Sequence, residues 1–375
     1  FEDHYCPPNC ACYGRVVQCS DKGVDKIPYG IPYNTRYLFL MNNKIDLIQL
    51  DLLNGYLSLE FLVLNNNKLM DESIEEAFEG VPKMTRLFLD QNKLSSVPID
   101  LPPSLEELRL NYNNISYIAE QALARCKSLK VISLNNNSIT DESIIKGAFS
   151  SLKKLQIIRL NFNQLTTVPA NLTTSLKELY LVGNQITRIP ENVFVNSSDL
   201  RSLNLNSNQI TNEGIIKETF YQMAKLEHLN LGQNLLTSVP QHLPKSLKVL
   251  ILNQNSITSV KRNTFLELKI LEQIDLSSNK ISTVAMGTFK GMSGLQHLDI
   301  SNNQLSQVPR QLPLILQSLF LYNNQIRYIP RDSFCGHQDT ESHLILIRLE
   351  NNYISDRNID VKALRCLRGP QVVHF

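Results

Sequence analysis

The chain has 375 residues, 42% of them hydrophobic, with 37 basic and 35 acidic side chains that leave a formal charge of +2. That is enough apolar material for a continuous core, and the near balance of charge gives no global pull toward nucleic acid or a membrane surface. No apolar run approaches the ~18–20 residues that a bilayer-spanning helix needs.

The first element is a cluster of cysteines. The chain opens on Phe1 without a signal-peptide pattern and is expected to be a processed or excised segment. Cys6, Cys10, Cys12 and Cys19 then crowd the start, and Cys335 and Cys366 lie near the end. Thiolates this close could hold zinc. Their placement at the two ends of a repetitive chain, together with sequons at Asn114, Asn136, Asn171 and Asn196, predicts disulfides, N-linked glycans and an oxidising, secreted setting instead. Spacing alone leaves three pairings open for the first four cysteines. Residues 1–32 are therefore read as a cysteine-rich cap, and no metal or other cofactor is expected.

Residues 33–330 are repetitive. The motif is L-x-x-L-x-L-x-x-N-x-L, clear as Leu59, Leu62, Leu64, Asn67, Leu69 and again as Leu200, Leu203, Leu205, Asn208, Ile210. Its asparagine recurs fourteen times from Asn43 to Asn352, at intervals of 21 to 28 residues, the period of a leucine-rich repeat. Side chains alternate along a strand, so the paired leucines face inward and the residue between them faces out. The asparagine falls where the chain turns, and there an amide can serve both a backbone donor and a backbone acceptor. The fold class expected is an α/β leucine-rich repeat solenoid. It has a curved parallel β-sheet on the concave face and short helical, 3-10 or extended segments on the convex face.

Outer features recur in step. Phe78, Phe149, Phe194, Phe220, Phe265, Phe289 and Phe334 take equivalent places, as a buried aromatic column would. Proline-bearing short repeats, such as Val97-Pro98…Leu101-Pro102 and Val239-Pro240…Leu243-Pro244, return about every 70 residues and should be extended on their outer side. Between them lie longer repeats with acidic turns at Asp71–Ile74 and Asp141–Ile144 and a related Asn212–Ile215, which have room for a helical turn. Cys126 stands alone and is read as a buried, inert thiol.

Residues 331–375 depart from the repeat. The last interval between motif asparagines stretches to 28, and Cys335 and Cys366 flank it. The basic run Lys362–Arg368 is a candidate contact for heparin-like glycosaminoglycans.

No residues suggest an enzyme. His228, His297, Asp275 and Asp299 fall at outward strand positions across an open sheet, where nothing excludes water or builds a nucleophile–base–acid set. A Gly-rich phosphate loop and a basic-aromatic nucleic-acid face are missing too. What remains is the sheet itself. Its outward positions include Arg86, Phe88, Arg109, Arg159, Tyr180, His228, Phe320 and Tyr322, and aromatics with arginine are the residue types that carry protein interfaces.

The cysteine spacing C-x3-C-x-C-x6-C, the short-long-long alternation of repeats and the elongated penultimate repeat together resemble the small leucine-rich proteoglycans, over essentially the whole chain. The cap is similar to that of the decorin and biglycan class. The resemblance implies pairing Cys6–Cys12 and Cys10–Cys19, and a terminal "ear" that includes Ile354–Ile359 and is closed by Cys335 and Cys366. Two departures, extra repeats and the lack of an acidic glycanated extension, are closer to extracellular matrix protein two and the podocan-like members. The one Ser-Gly pair, Ser293-Gly294, lacks an acidic run, so no glycosaminoglycan chain is expected on this segment.

By resemblance the protein is a secreted, non-enzymatic component of the extracellular matrix. It would bind collagen or other matrix proteins through the concave face and support fibril organisation and cell adhesion, with growth factors and cell-surface receptors as further partners. Arg159 in Ile157–Asn161 matches the arginine of the family's collagen-contacting strand, although Phe162 stands near the place of its acidic partner. The alternative is the ectodomain of a toll-like receptor, which would need a membrane span beyond Phe375. A homodimer through the concave face is a competing use of the same surface.

Overall fold

The structure is a computed structural model, and it describes residues 5–336 and 341–375; residues 1–4 of the cap and 337–340 of the ear lie outside the described set. By contact the chain divides into two compact units, Phe1–Gln185 and Ile186–Phe375. Both are leucine-rich repeat solenoids.

The first unit opens with an antiparallel pair, β1 (Ala11–Tyr13) and β2 (Val16–Gln18). From β2 onward every pairing in this unit is parallel and in register. The strands are β3 (Tyr37–Phe39), β4 (Phe61–Val63), β5 (Arg86–Phe88), β6 (Glu107–Arg109), β7 (Val131–Ser133), β8 (Ile157–Arg159) and β9 (Glu178–Tyr180). Leu38, Leu62, Leu87, Leu108, Ile132, Ile158 and Leu179 stack at the centres of successive strands, each fully buried. Each such side chain withdrawn from water contributes about 1.5–3 kcal/mol.

The second unit repeats the plan with β10 (Ser202–Asn204), β11 (His228–Asn230), β12 (Val249–Ile251), β14 (Gln273–Asp275), β16 (His297–Asp299), β17 (Ser318–Phe320), β18 (Leu346–Arg348) and β19 (Val373–His374), again parallel throughout. Two-residue strands β13 (Ser259–Val260) and β15 (Thr283–Val284) pair separately as a small outer sheet.

Three devices hold neighbouring turns together, and each serves backbone groups that a buried turn would otherwise leave without partners. The first is the asparagine ladder. Asn137 donates its amide to Leu134 O of its own turn (3.1 Å) and to Leu110 O of the turn before (3.0 Å), and accepts from Ile115 N (2.9 Å). The same bonds recur at Asn67, Asn92 and Asn163 in this unit and at Asn255, Asn279 and Asn303 in the second.

The second device runs beside it in the first unit, two positions upstream. Asn65 accepts from Asp90 N, Asp90 from Asn111 N, Asn111 from Asn135 N, Asn135 from Asn161 N, and Asn161 from Val182 N, at 2.8–2.9 Å. Valine offers no acceptor to continue it. The third lies on the outer side. Asp71, Asp141 and Asn212 open single 3-10 turns, and each accepts from the backbone of the following turn, at Ser95 N (3.1 Å), Thr166 N (3.0 Å) and Thr237 N (2.8 Å). Among the described residues the outer segments contain 3-10 turns, bends and extended stretches rather than α-helix.

One backbone feature accompanies every turn. The residue just before the motif asparagine is left-handed in all fourteen repeats, from Asn42 to Asn351, with φ between +53° and +70°. Asparagine and glycine tolerate that region well; Tyr112 and Phe162 occupy it at a cost of about 1–2 kcal/mol. The seven outer phenylalanines are all buried, and Phe265 and Phe289 stack with ring centroids 5.8 Å apart.

Candidate protein-interaction surface

The outward residues of the strands form an open sheet face in each unit. On the first unit, β3 to β6 carry one connected aromatic–guanidinium group. Phe61 sits at its centre, with Phe39, Tyr37 and Phe88 at ring-centroid distances of 5.7, 6.5 and 4.9 Å, all edge-on. Edge-on packing suits the quadrupoles of these rings. The Arg86 guanidinium lies 4.2 Å from the centroid of Phe61 and 5.3 Å from that of Phe88, and the Arg109 guanidinium lies 4.4 Å from Phe88. Both arginines direct Nε to Glu107, at 3.3 and 2.7 Å. Arg36 pairs with Glu60 at 2.7 Å and flanks Tyr37.

This arrangement corrects the reading of Phe88 as an exposed contact. It is only 8% exposed, because the two arginines and Phe61 close over it. Phe88 therefore supports the platform, and Arg86 and Arg109 present it. Tyr37, Phe39 and Phe61 were not among the residues singled out from sequence, yet they hold the same L-x-L positions as Arg86 and Arg109. Applying the alternation rule to the first two repeats would have found them.

A second group lies on β7 to β9. Arg159 donates from Nη1 to Ser133 Oγ (3.0 Å) and approaches the Tyr180 ring at 5.8 Å, while the Tyr180 hydroxyl bonds to Glu178. On the second unit, Phe320 and Tyr322 lie 6.2 Å apart. The Arg348 guanidinium lies 4.5 Å from Tyr322 and bonds to Glu350 at 2.9 Å. Arg348 and Glu350 also escaped the sequence reading. His228 is exposed on β11 and belongs to none of these groups.

The acidic residues of the face serve the fold. Asp90 takes its place in the second ladder, and Asp299 accepts from Ser301 N (2.9 Å) and Ser301 Oγ (2.6 Å). Burial pushes both carboxyls above the ordinary carboxylate range. His297 Nδ1 bonds to Ser318 Oγ. Among the described residues no three His, Cys, Asp or Glu side chains are grouped as for a metal.

The cysteines bond as Cys6–Cys12, Cys10–Cys19 and Cys335–Cys366. Cys126 is free and buried, and burial pushes its thiol up to about 11. Asn114, Asn171 and Asn196 are exposed; Asn136 is half-buried. Among the described residues no helix is long and apolar enough to cross a membrane.

Repeats of this period with a disulfide-bonded leading segment define a leucine-rich repeat protein with a cysteine-rich amino-terminal domain. The Leucine rich repeat family matches residues 103–165, 174–236 and 245–305, and the Leucine rich repeat N-terminal domain matches residues 5–32. Podocan from Mus musculus is 33% identical over 367 residues, spanning 97% of this chain and 59% of podocan's length. Keratocan from Danio rerio is 35% identical over 259 residues, 68% of this chain and 74% of that protein. The chain belongs to the small leucine-rich proteoglycan family. A chain of the octameric complex of latrophilin 3, Unc5D and FLRT2 (LRR) shares the fold, with a TM-score of 0.71 and 24% identity over 96% of this chain and all of that one.

Proposed function

We propose that this is a secreted extracellular-matrix protein that acts by binding and not by catalysis. It holds collagen or other matrix proteins on its open sheet face and so supports fibril organisation and cell adhesion, with growth factors and cell-surface receptors as further partners. In this reading residues 1–32 are a cap, 33–330 carry the repeats, and 331–375 form the ear. Asn114, Asn136, Asn171 and Asn196 carry N-linked glycans.

The observation that supports the reading best is the platform of Phe61, Phe88, Arg86 and Arg109. Its guanidiniums are stacked on rings and bonded to Glu107 before any partner arrives. A partner then meets few side chains that must still be ordered, a cost of about 0.5–1.5 kcal/mol for each flexible one. Arginine over aromatic rings is also the composition of interface hot spots.

Solid-phase binding to fibrillar collagens tests it, comparing the wild type with Arg86→Ala, Arg109→Ala, Arg159→Ala and Tyr180→Ala. At least one variant is expected to bind about tenfold or more weakly, with its thermal midpoint unmoved. Wild-type protein that binds no fibrillar collagen would remove collagen from the reading. Four variants that bind as the wild type does would remove the face.

A further inference from the structure

A concavity of about 930 Å³ lies away from the sheet face, in the second unit, between the outer side of the last repeats and the ear segment. Among the described residues its walls carry five cations, Lys290, Arg310, Arg331, Lys362 and Arg365, against one carboxylate, Asp332. The whole chain carries a formal charge of only +2, so this is a strong local excess. Asp332 is already bonded to Arg310 in a two-pronged pair at 2.9 and 2.9 Å. The fold assembles the cluster from distant sequence: the Cys335–Cys366 disulfide ties the segment after Pro330 to the chain just beyond the 3-10 turn Val361–Leu364, and Arg331, Lys362 and Arg365 line the same groove.

We propose that this groove binds a sulfated glycosaminoglycan chain. Arginine forks match the paired oxygens of a sulfate, and lysines add point charge without demanding one geometry. The remaining lining suits a sugar between the charges. Tyr328, Leu314 and Ile315 are exposed apolar surface for the C–H faces of the rings, and Ser293, Gln307 and Gln311 supply hydrogen bonds for hydroxyls. An acidic peptide fits less well. An extended peptide needs an unpaired strand edge to satisfy its backbone, and no residue of the groove's lining belongs to one of the strands β1 to β19. The proposal stands apart from the sheet-face reading, since the two surfaces share no residue.

The test is the affinity of the full chain for a size-defined heparin oligosaccharide, measured by surface plasmon resonance over a salt series. Arg331→Gln/Lys362→Gln is expected to weaken binding at least tenfold at 150 mM salt. It should also flatten the dependence of log Kd on log salt by about 1–2, the release of two counterions fewer. The pair Lys127→Gln/Lys154→Gln changes net charge equally on exposed positions of the first unit and is expected to leave binding unchanged. Chemically desulfated heparin should not bind, and a poly-glutamate peptide of matched charge should not compete. Wild-type affinity in the groove variant, or an equal loss in the control pair, overturns the site. Binding of desulfated heparin, or competition by poly-glutamate, overturns the ligand. Equal thermal midpoints for both variants exclude unfolding as the cause.

Discussion

Replacing Asn163 with leucine separates the worth of the asparagine ladder from that of the core, because the two side chains are close in size. Asn163 donates to Leu134 O (2.9 Å) and Leu160 O (3.1 Å) and accepts from Ile139 N (3.0 Å). Both carbonyls keep a second donor in the variant, Leu134 O from Asn137 (3.1 Å) and Leu160 O from Asn184 (3.0 Å). The group truly stranded is the amide of Ile139, a residue with no exposed surface. One buried N–H without a partner costs about 1–3 kcal/mol. With the two weakened carbonyl contacts added, the loss should be about 2–4 kcal/mol. Urea denaturation should show this as a lower midpoint at unchanged slope, and amide hydrogen exchange should accelerate first at Ile139. The neighbouring exposed Gln164→Leu serves as reference and should move stability by no more than ~0.5 kcal/mol. A loss under about 1 kcal/mol, or no difference between the two variants, would refute the assignment of the ladder as the support of the turns.

Three further outcomes follow from the same geometry. Gly183 has φ +70°, and a Cβ there would meet the Phe162 ring at 2.4 Å; Gly183→Ala should cost about 1–2 kcal/mol, and less in a Phe162→Ala background, which a double-mutant cycle measures. Asp90→Asn keeps the acceptor for Asn111 N and removes a carboxylate that burial disfavours. A carboxyl raised in the fold stabilises it below its ordinary pKa and loses that contribution as pH rises through the folded value. The variant should therefore be the more stable at pH 7, with the advantage fading as pH falls through the carboxylate range, as urea midpoints across pH would show. The Cys126 thiol, held up to about 11, should resist a thiol reagent in the native state at pH 8 and react once unfolded. By the same sign rule its contribution to stability should fall as pH rises from the ordinary thiol value toward 11. Rapid labelling of native protein would contradict its burial.

The parts of this fold legible in the sequence are those fixed by periodicity. Leucines at L-x-L positions, the motif asparagines and the outer phenylalanines each repeat at one place in the turn, so a single physical reason accounts for all copies. The rest depends on partners a whole turn away. Nothing within one repeat shows that Asn65, Asp90, Asn111 and Asn135 each face the amide of the next. Asp71 and Asp141 read as part of acidic turns in their own segments, whereas their carboxylates also reach forward to Ser95 and Thr166. Phe88 shows the same limit on the sheet face. Alternation points it outward correctly, and its burial comes from Arg86, Arg109 and Phe61, on its own and both neighbouring strands.

The lending of amide donors between turns also explains where the sulfur lies. An interior turn has its carbonyl served from within and from the turn that follows, so no repeat is complete alone. At the start the lending must end on something, and Asn43 sends its amide to the carbonyl of Cys19, itself tied to Cys10. At the far end Leu349 O is served by Asn352, and the chain beyond is pinned through Cys366. A chain shortened by one turn at either tip would thus expose a debt the next repeat used to cover, and fraying should begin wherever a staple is cut.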